Sequence, residues 1–465
     1  MRAPLPRLAA RLAAVSLVAA IAAPAASAQS ATPSDSAIRA ILRLRVDSGT
    51  TTGIVVGILE NGQRRFVAYG SAGPGRPPLD EHTLFEIGSI SKTFTSLLLA
   101  ESIVRGEVRV DQPVAELLPA GTVVPSRDGR QITLEHLATH RSGLPRLPDN
   151  LTPALPADPY ADYDTPKLYA FLAGYQLRRA PGEAVEYSNL GGGLLGHALT
   201  LRAHAPSWAA LVEQRITAPL GMRETFVDVP PALRARVSAG HDSELDTVPA
   251  WHLDALAGAG ALRSTASDML IYLAAVLDTT QGPLARAAAL VQKPHADFAA
   301  GMRIGLGWLL AAAATRPTWW HNGGTGGFRS LAAFDPGRKL AVIVLSNSSV
   351  SVDDIGLHLL DATRPVGLPI RPPRAQVTLP REALDRLLGA YELSPGFVLT
   401  ITRIEDALFA QATGQPRLPM AAVSANQFVI PVANAELIFD ISEPGPAKHV
   451  TLRQNGSMVT AGRTP

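Results

Sequence analysis

The sequence predicts an α/β fold, an antiparallel sheet flanked by helices, followed by a small all-β C-terminal domain. Three observations point to it. Strand-like stretches at 52–59 and 65–69 bracket Asn61-Gly62, a strong hairpin turn. A second strand region, 319–334 and 340–346, flanks the turn signature Asp335-Pro336-Gly337, far along the chain. Between the two lie patterns of helical spacing, so one sheet would draw on both ends of the segment, with helices inserted. Beyond residue 380 the pattern changes to short alternating runs, the mark of a compact β structure.

In chain order, residues 1–28 read as a secretory signal peptide: Arg2, Arg7 and Arg11, an apolar run over 12–23, and Ala26-Ser27-Ala28 as a cleavage site. A spanning helix needs about 20 apolar residues, so no stable membrane anchor is expected after cleavage and the mature protein is expected to be periplasmic or secreted. Cleavage removes three arginines and no acid. The 42 basic residues fall to 39 against 40 acidic, and the net charge falls from +2 to −1. A chain so balanced gives no support to nucleic-acid binding, which shows as a basic patch. Cysteine is absent, which excludes disulfides, thiol catalysis and cysteine metal sites.

Helical spacing appears at 34–45, 90–104, 133–139, 191–201, 208–216 and 266–277. Residues 361–380 carry Pro365, Pro369, Pro372, Pro373 and Pro380 with little apolar periodicity, as a linker does. The domains expected are therefore a catalytic unit at 34–360, the Pro-rich linker at 361–380, and a small β barrel or sandwich at 381–465. The last would comprise a short helix at 382–388 and strands at 398–402, 408–412, 428–432, 437–441 and 450–453.

The first chemical motif is Ser89-Ile90-Ser91-Lys92, at the start of the 90–104 helix. Residues three apart share a helical face, so Lys92 can bring its amine to the Ser89 hydroxyl. A serine needs such a base, and a lysine supplies one if its pKa is depressed. The chain has five lysines against 37 arginines, and arginine cannot take that role. Two further motifs could complete a site. Tyr187-Ser188-Asn189 enters a helix ahead of Gly191-Gly192-Gly193; its phenol could move a proton and its amide could meet a substrate carbonyl. His321-Asn322-Gly323-Gly324 opens a strand whose glycines admit a ligand or another backbone, and the Gly324 N–H could join that of Ser89 in an oxyanion hole. There is no His-Glu-x-x-His, no Gly-x-Ser-x-Gly and no phosphate loop, and no cofactor or metal is expected.

Taken together, the three motifs resemble those of the penicillin-recognising serine hydrolases: class C β-lactamases, DD-peptidases and related esterases. Residues 85–92 are similar to the class C active-site segment throughout, and the phrases at 132–140, 142–145 and 260–265 are also family-like. The resemblance covers about 36–360. It implies a β-lactamase/transpeptidase-like fold with an all-helical subdomain. It also implies Ser89 as the acylated nucleophile, proton transfer shared by Lys92 and Tyr187, Asn189 on a substrate amide, and His321, Asn322, Gly323 and Gly324 along the substrate strand.

The third motif departs from the Lys-Thr-Gly usual in class C. A histidine of reference pKa near 6.5 replaces a permanent cation, and Arg329 is the candidate to supply the missing charge. The function expected is class C-type β-lactam hydrolysis through a Ser89 acyl-enzyme, with a small-molecule substrate. The alternative is a DD-peptidase, D-aminopeptidase or carboxylesterase acting on D-amino-acid peptides or esters. A third reading is a non-catalytic secreted binding protein.

Overall fold

The computed structural model describes residues 32–299, 301–311, 316–367, 377–415, 417–454 and 457–464; the signal peptide read at 1–28 and the middle of the Pro-rich linker lie outside the described residues. The first sheet contains β1 (Gly53–Glu60), β2 (Gln63–Gly70), β3 (Ala296–Ala299), β4 (Met302–Ile304), β5 (Leu309–Ala311), β6 (Thr318–Gly324), β7 (Arg329–Asp335) and β8 (Leu340–Ser346). Their order is β2-β1-β8-β7-β6-β5-β4-β3, with every neighbouring pair antiparallel. Strand β1 lies beside β8 with Ile54 opposite Ser346 and Glu60 opposite Leu340, so the two ends of the segment do meet inside one sheet.

Side-chain alternation divides the sheet into two buried faces. Ile54, Val56 and Ile58 of β1 and Leu340, Val342 and Val344 of β8 pack with Ile38 and Leu42 of α1 (Asp35–Asp47). The intervening Val55, Leu59, Ala341, Ile343 and Leu345 face the larger core shared with the inserted helices. Burial on both faces explains why β8 reads as an unbroken apolar run.

The structure corrects the sequence expectation at 319–334, which is not one strand. Strands β6 and β7 form a hairpin there, with residues 325–328 as its turn, and Gly324 lies opposite Arg329. Strands β3 to β5 were not anticipated, because three or four residues are too few to display a period.

The inserted helices include α2 (Ser91–Val104), α3 (Leu134–Ala138), α4 (Thr165–Gly174), α5 (Asn189–Arg202), α6 (Trp208–Val212), α7 (Ala266–Leu277) and α8 (Ala285–Val291), and α9 (Asp353–Leu360) follows the sheet. Thr133, Asp164, Ser188, Ser207 and Thr265 cap the N-termini of α3 to α7, each side chain accepting a backbone N–H. Helix α2 is almost wholly buried. Phe94 stacks on Tyr272 of α7 at 3.9 Å, and the Tyr272 hydroxyl donates to Thr93 Oγ1 at 2.9 Å. These contacts lock α2 against the helix that covers the sheet.

The C-terminal residues form a second antiparallel sheet with its own core of Leu387, Tyr391, Phe428, Leu437 and Phe439. After α10 (Arg381–Asp385) come β9 (Gly389–Ser394), β10 (Phe397–Ile404), β11 (Ala407–Ala412), β12 (Leu418–Pro419), β13 (Ala421–Ala422), β14 (Gln427–Ile430), β15 (Ala435–Phe439), β16 (His449–Gln454) and β17 (Ser457–Arg463). The order β12-β11-β10-β9-β17-β16-β15-β14-β13 makes a single, nearly closed, barrel-like sheet rather than a sandwich. Strand β17 joins β9 to β16 and so brings the chain's end into the middle of that sheet.

Candidate active site

Ser89 lies on a 3-10 turn, Gly88–Ile90, that runs directly into α2. One helical turn on, the Lys92 amine is 3.0 Å from the Ser89 hydroxyl, 2.8 Å from Asn189 Oδ1 and 2.7 Å from the Ala259 carbonyl oxygen. Lys92 is 3% exposed. Burial, assisted by the charge of Arg146, pushes its pKa well below the usual lysine value. The neutral amine has two N–H groups and one lone pair. Asn189 Oδ1 and the Ala259 carbonyl can only accept, so they take the two N–H groups, and the lone pair is left facing the Ser89 O–H.

Glycine makes room for this arrangement. A Cβ on Gly192 would come 3.1 Å from Lys92 Cε, so α5 can pass directly over the lysine stem. Below the nucleophile turn, Gly88 (φ +50°) lies against Gly324: a Cβ on Gly88 would stand 2.6 Å from Gly324 N. A Cβ on Gly323 would overlap the Ile87 carbonyl oxygen, and Ser330 Oγ donates to that oxygen at 2.9 Å. The glycines of the third motif thus admit another backbone, that of the turn carrying Ser89.

Tyr187 stands at the centre of the polar groups. Lys92 Nζ is 4.9 Å from its ring centroid, and the His140 and His321 rings are 4.3 and 6.3 Å from it. Burial pushes the phenol up to about 12, against the opposing effects of Arg146 and of hydrogen bonding to Ser89. His321 is buried, and burial together with Lys92 lowers it to about 3, leaving a neutral ring whose Nδ1 lies 2.6 Å from the Asn322 carbonyl oxygen. His140 is likewise driven well down by burial and then by Lys92.

Ser89, Lys92, Tyr187, Asn189 and His321 are therefore brought together, with Gly323 and Gly324 beneath the nucleophile turn. Asn322 points elsewhere. Alternation puts it on the other sheet face, where its Nδ2 donates to Asp353 Oδ2 of α9 at 2.6 Å. Arg329 is on that face too. Its Nη1 donates to the carbonyls of Thr325 and Phe328, tying up its own turn, and Asp353 offsets part of its burial. Both ends of the Asn189 amide are engaged, since Nδ2 donates to the Tyr160 hydroxyl at 3.1 Å.

Three residues that the motifs do not include belong to the site. Tyr160 holds Asn189 and meets Trp251 edge-on at 5.3 Å. His140, at a positive φ of 58°, accepts the Ser188 N–H on its Nδ1. Arg146 sets its guanidinium carbon 4.9 Å from the Tyr187 ring centroid. In the sequence, His140 closes the family-like phrase at 132–140 and Arg146 directly follows the one at 142–145, whereas Tyr160 lies in neither. Among the described residues no His, Cys, Asp and Glu cluster could hold a metal ion, and no helix is long and apolar enough to cross a membrane.

Comparison with known proteins shows the family to which this fold belongs. The beta-lactamase family model matches residues 38–362, and a domain of unknown function, DUF3471, matches 373–460. The D-alanyl-D-alanine-carboxypeptidase/endopeptidase AmpH of Escherichia coli K12 is 30% identical over 315 residues, which are 64% of this chain and 80% of that protein. A beta-lactamase of the same strain is 29% identical, covering 64% of this chain and 84% of its own. The crystal structure of a class C beta-lactamase from Rhodobacter sphaeroides covers 67% of this chain and 93% of its own at 26% identity and a TM-score of 0.59. That of a beta-lactamase/D-alanine carboxypeptidase from Pseudomonas syringae, at 23% identity, covers 70% and 98% with a TM-score of 0.61 and shares the fold. Since the family model spans most of the chain and the fold is shared, the chain belongs to the beta-lactamase family.

Proposed function

We propose that the protein is a serine hydrolase that cleaves esters or amides through an acyl-enzyme on Ser89. The observation that carries this reading is the Lys92 amine, which is 3.0 Å from Ser89 Oγ with its two N–H groups directed to carbonyl oxygens. The proton of Ser89 passes to Lys92 as Oγ bonds to the substrate carbonyl carbon. The oxyanion that forms is met by the backbone N–H of Ser89 and of Gly324. Tyr187, protonated at neutral pH, gives its proton to the departing oxygen or nitrogen and recovers one from Lys92. Water then releases the acid and restores Ser89.

Neutral His321 stands where class C enzymes present a lysine, which favours the peptidase or esterase reading over fast class C-type β-lactam hydrolysis. β-Lactam turnover is the second reading, supported by the beta-lactamase relatives. Both place the enzyme in the periplasm or outside the cell, where such substrates occur.

The test uses the mature protein with nitrocefin, a short-chain nitrophenyl ester and a D-Ala-D-Ala peptide. Turnover of at least one is expected, and it should vanish in Ser89→Ala; a Ser89→Ala protein with undiminished turnover overturns the mechanism. Lys92→Arg keeps a long basic side chain but is always protonated and cannot accept the proton, so a loss of at least about a hundredfold is expected.

A further inference from the structure

We infer that Arg146 is the substrate's anchor in this site: its guanidinium receives a carboxylate carried by the ester or amide that Ser89 attacks. The inference rests on the reading of Ser89 as nucleophile and adds to it the charge of the substrate.

Lys92 is pushed toward its neutral form, and His321 is neutral. Arg329 donates to two carbonyls of its own turn and faces Asp353. Among the described residues Arg146 is left as the cation beside the reacting groups, and its field acts on Lys92, His140, Tyr160 and Tyr187 alike.

The Arg146 guanidinium carbon lies as close to the Tyr187 ring centroid as Lys92 Nζ does, 4.9 Å in each case. Nη1 is shut off from solvent and has no hydrogen-bond partner, and among the described residues no carboxylate pairs with the group. A buried N–H without an acceptor is unfavourable, and a carboxylate supplies two acceptor oxygens that match the planar fork of a guanidinium.

A binding group is most effective when it is already in place. The strand of chain that carries Arg146 is stitched to the Tyr187 loop. Glu186 N–H donates to the His140 carbonyl at 2.7 Å and Ser188 Oγ to the Pro145 carbonyl at 2.6 Å. Asn189 N–H donates to the carbonyl of Arg146 itself at 3.0 Å. These bonds fix the backbone from which the Arg146 side chain extends beside Tyr187.

Two pairs of probes test the inference. One is the 4-nitrophenyl ester of adipic acid with its far end either a carboxylate or a carboxamide, which puts the charge on the acyl side. The other is the acetyl ester of 3-hydroxybenzoate or of 3-hydroxybenzamide, which puts it on the leaving group. The wild type should prefer the carboxylate member of at least one pair by about tenfold or more, the worth of one charge-assisted hydrogen bond. In Arg146→Met that preference should collapse, the change falling in KM, and Arg146→Lys should keep part of it. Absolute rates will fall with both members, because Arg146 also acts on Lys92; only the ratio bears on anchoring. A ratio unchanged in Arg146→Met, or no preference in the wild type for either pair, overturns the inference.

A binding measurement separates this from a failure of the nucleophile assignment. Equilibrium dialysis of the monoanilide of adipic acid and its carboxamide counterpart against Ser89→Ala should favour the carboxylate, and the double variant with Arg146→Met should not. That comparison decides the anchor whether or not Ser89 proves to be the nucleophile; equal binding of the two anilides refutes it.

Discussion

In the proposed mechanism the Lys92 amine acts as general base only in the fraction of molecules where it is neutral, so the position of its titration sets activity at neutral pH. Burial is the largest cause of its lowering and Arg146 the second. The acidic limb of kcat/KM should therefore lie well below the ordinary lysine value, with activity lost as pH falls through it. Removing the Arg146 charge relieves one of the two causes, so the pKa rises and the limb moves to higher pH. The check is a pH profile of Arg146→Met on the carboxamide ester, where anchoring plays no part. A limb at the wild-type pH would mean that Lys92 is not the titrating base. The motifs made Ser89, Lys92, Tyr187 and Asn189 legible because their chemistry depends on side-chain type at fixed spacing. The places of Arg146 and His140 in the site were not legible, although His140 ends a family-like phrase, because they join it through hydrogen bonds between two distant loops, which leave no spacing rule behind.

Strand β6 shows how an element turns a motif into a site. In the sequence, His321 to Gly324 is a run of neighbours; in the sheet the period of two separates it, with His321 facing Tyr187 and Asn322 facing Asp353. The same alternation applied to the sequence would have set Asn322 apart from His321. It would not have found the hairpin turn at 325–328, since the glycines that form the turn also continue the apparent strand. The glycine density was read as a sign of close approach, and the partner is the nucleophile turn. That gives a prediction at this scale. A methyl group in Gly323→Ala overlaps the Ile87 carbonyl oxygen and must push β6 away from the turn that carries Ser89. Displacement by about 1 Å is enough for a loss of roughly a hundredfold. Steady-state kinetics beside a thermal melt test this: the expected result is a fall in kcat/KM in a protein that still melts cooperatively. Wild-type turnover would show that the close approach is not needed for catalysis.

At the scale of the whole molecule, the legible part was the division between an α/β segment and a β-rich tail, because it rests on composition and periodicity over long stretches. The relation of the tail to the site was not legible. The turn between β11 and β12 brings Gly414 to the Tyr187 loop: a Cβ there would lie 4.0 Å from Tyr187 N. Gly414 has φ +70°, and Gly396, in the turn between β9 and β10, has φ +76° with nothing within 4 Å of an added Cβ. Replacing either glycine by tryptophan imposes similar backbone strain, but only one of the two side chains meets the loop that carries Tyr187. Gly414→Trp and Gly396→Trp should therefore lower the melting temperature to a similar extent, whereas kcat/KM should fall several-fold or more in Gly414→Trp alone. The fall should be larger for a bulky nitrophenyl ester than for the acetate, because the indole narrows the approach to Tyr187 from the side of the C-terminal sheet. Equal kinetics in the two variants would mean that this sheet stands beside the site without shaping access to it.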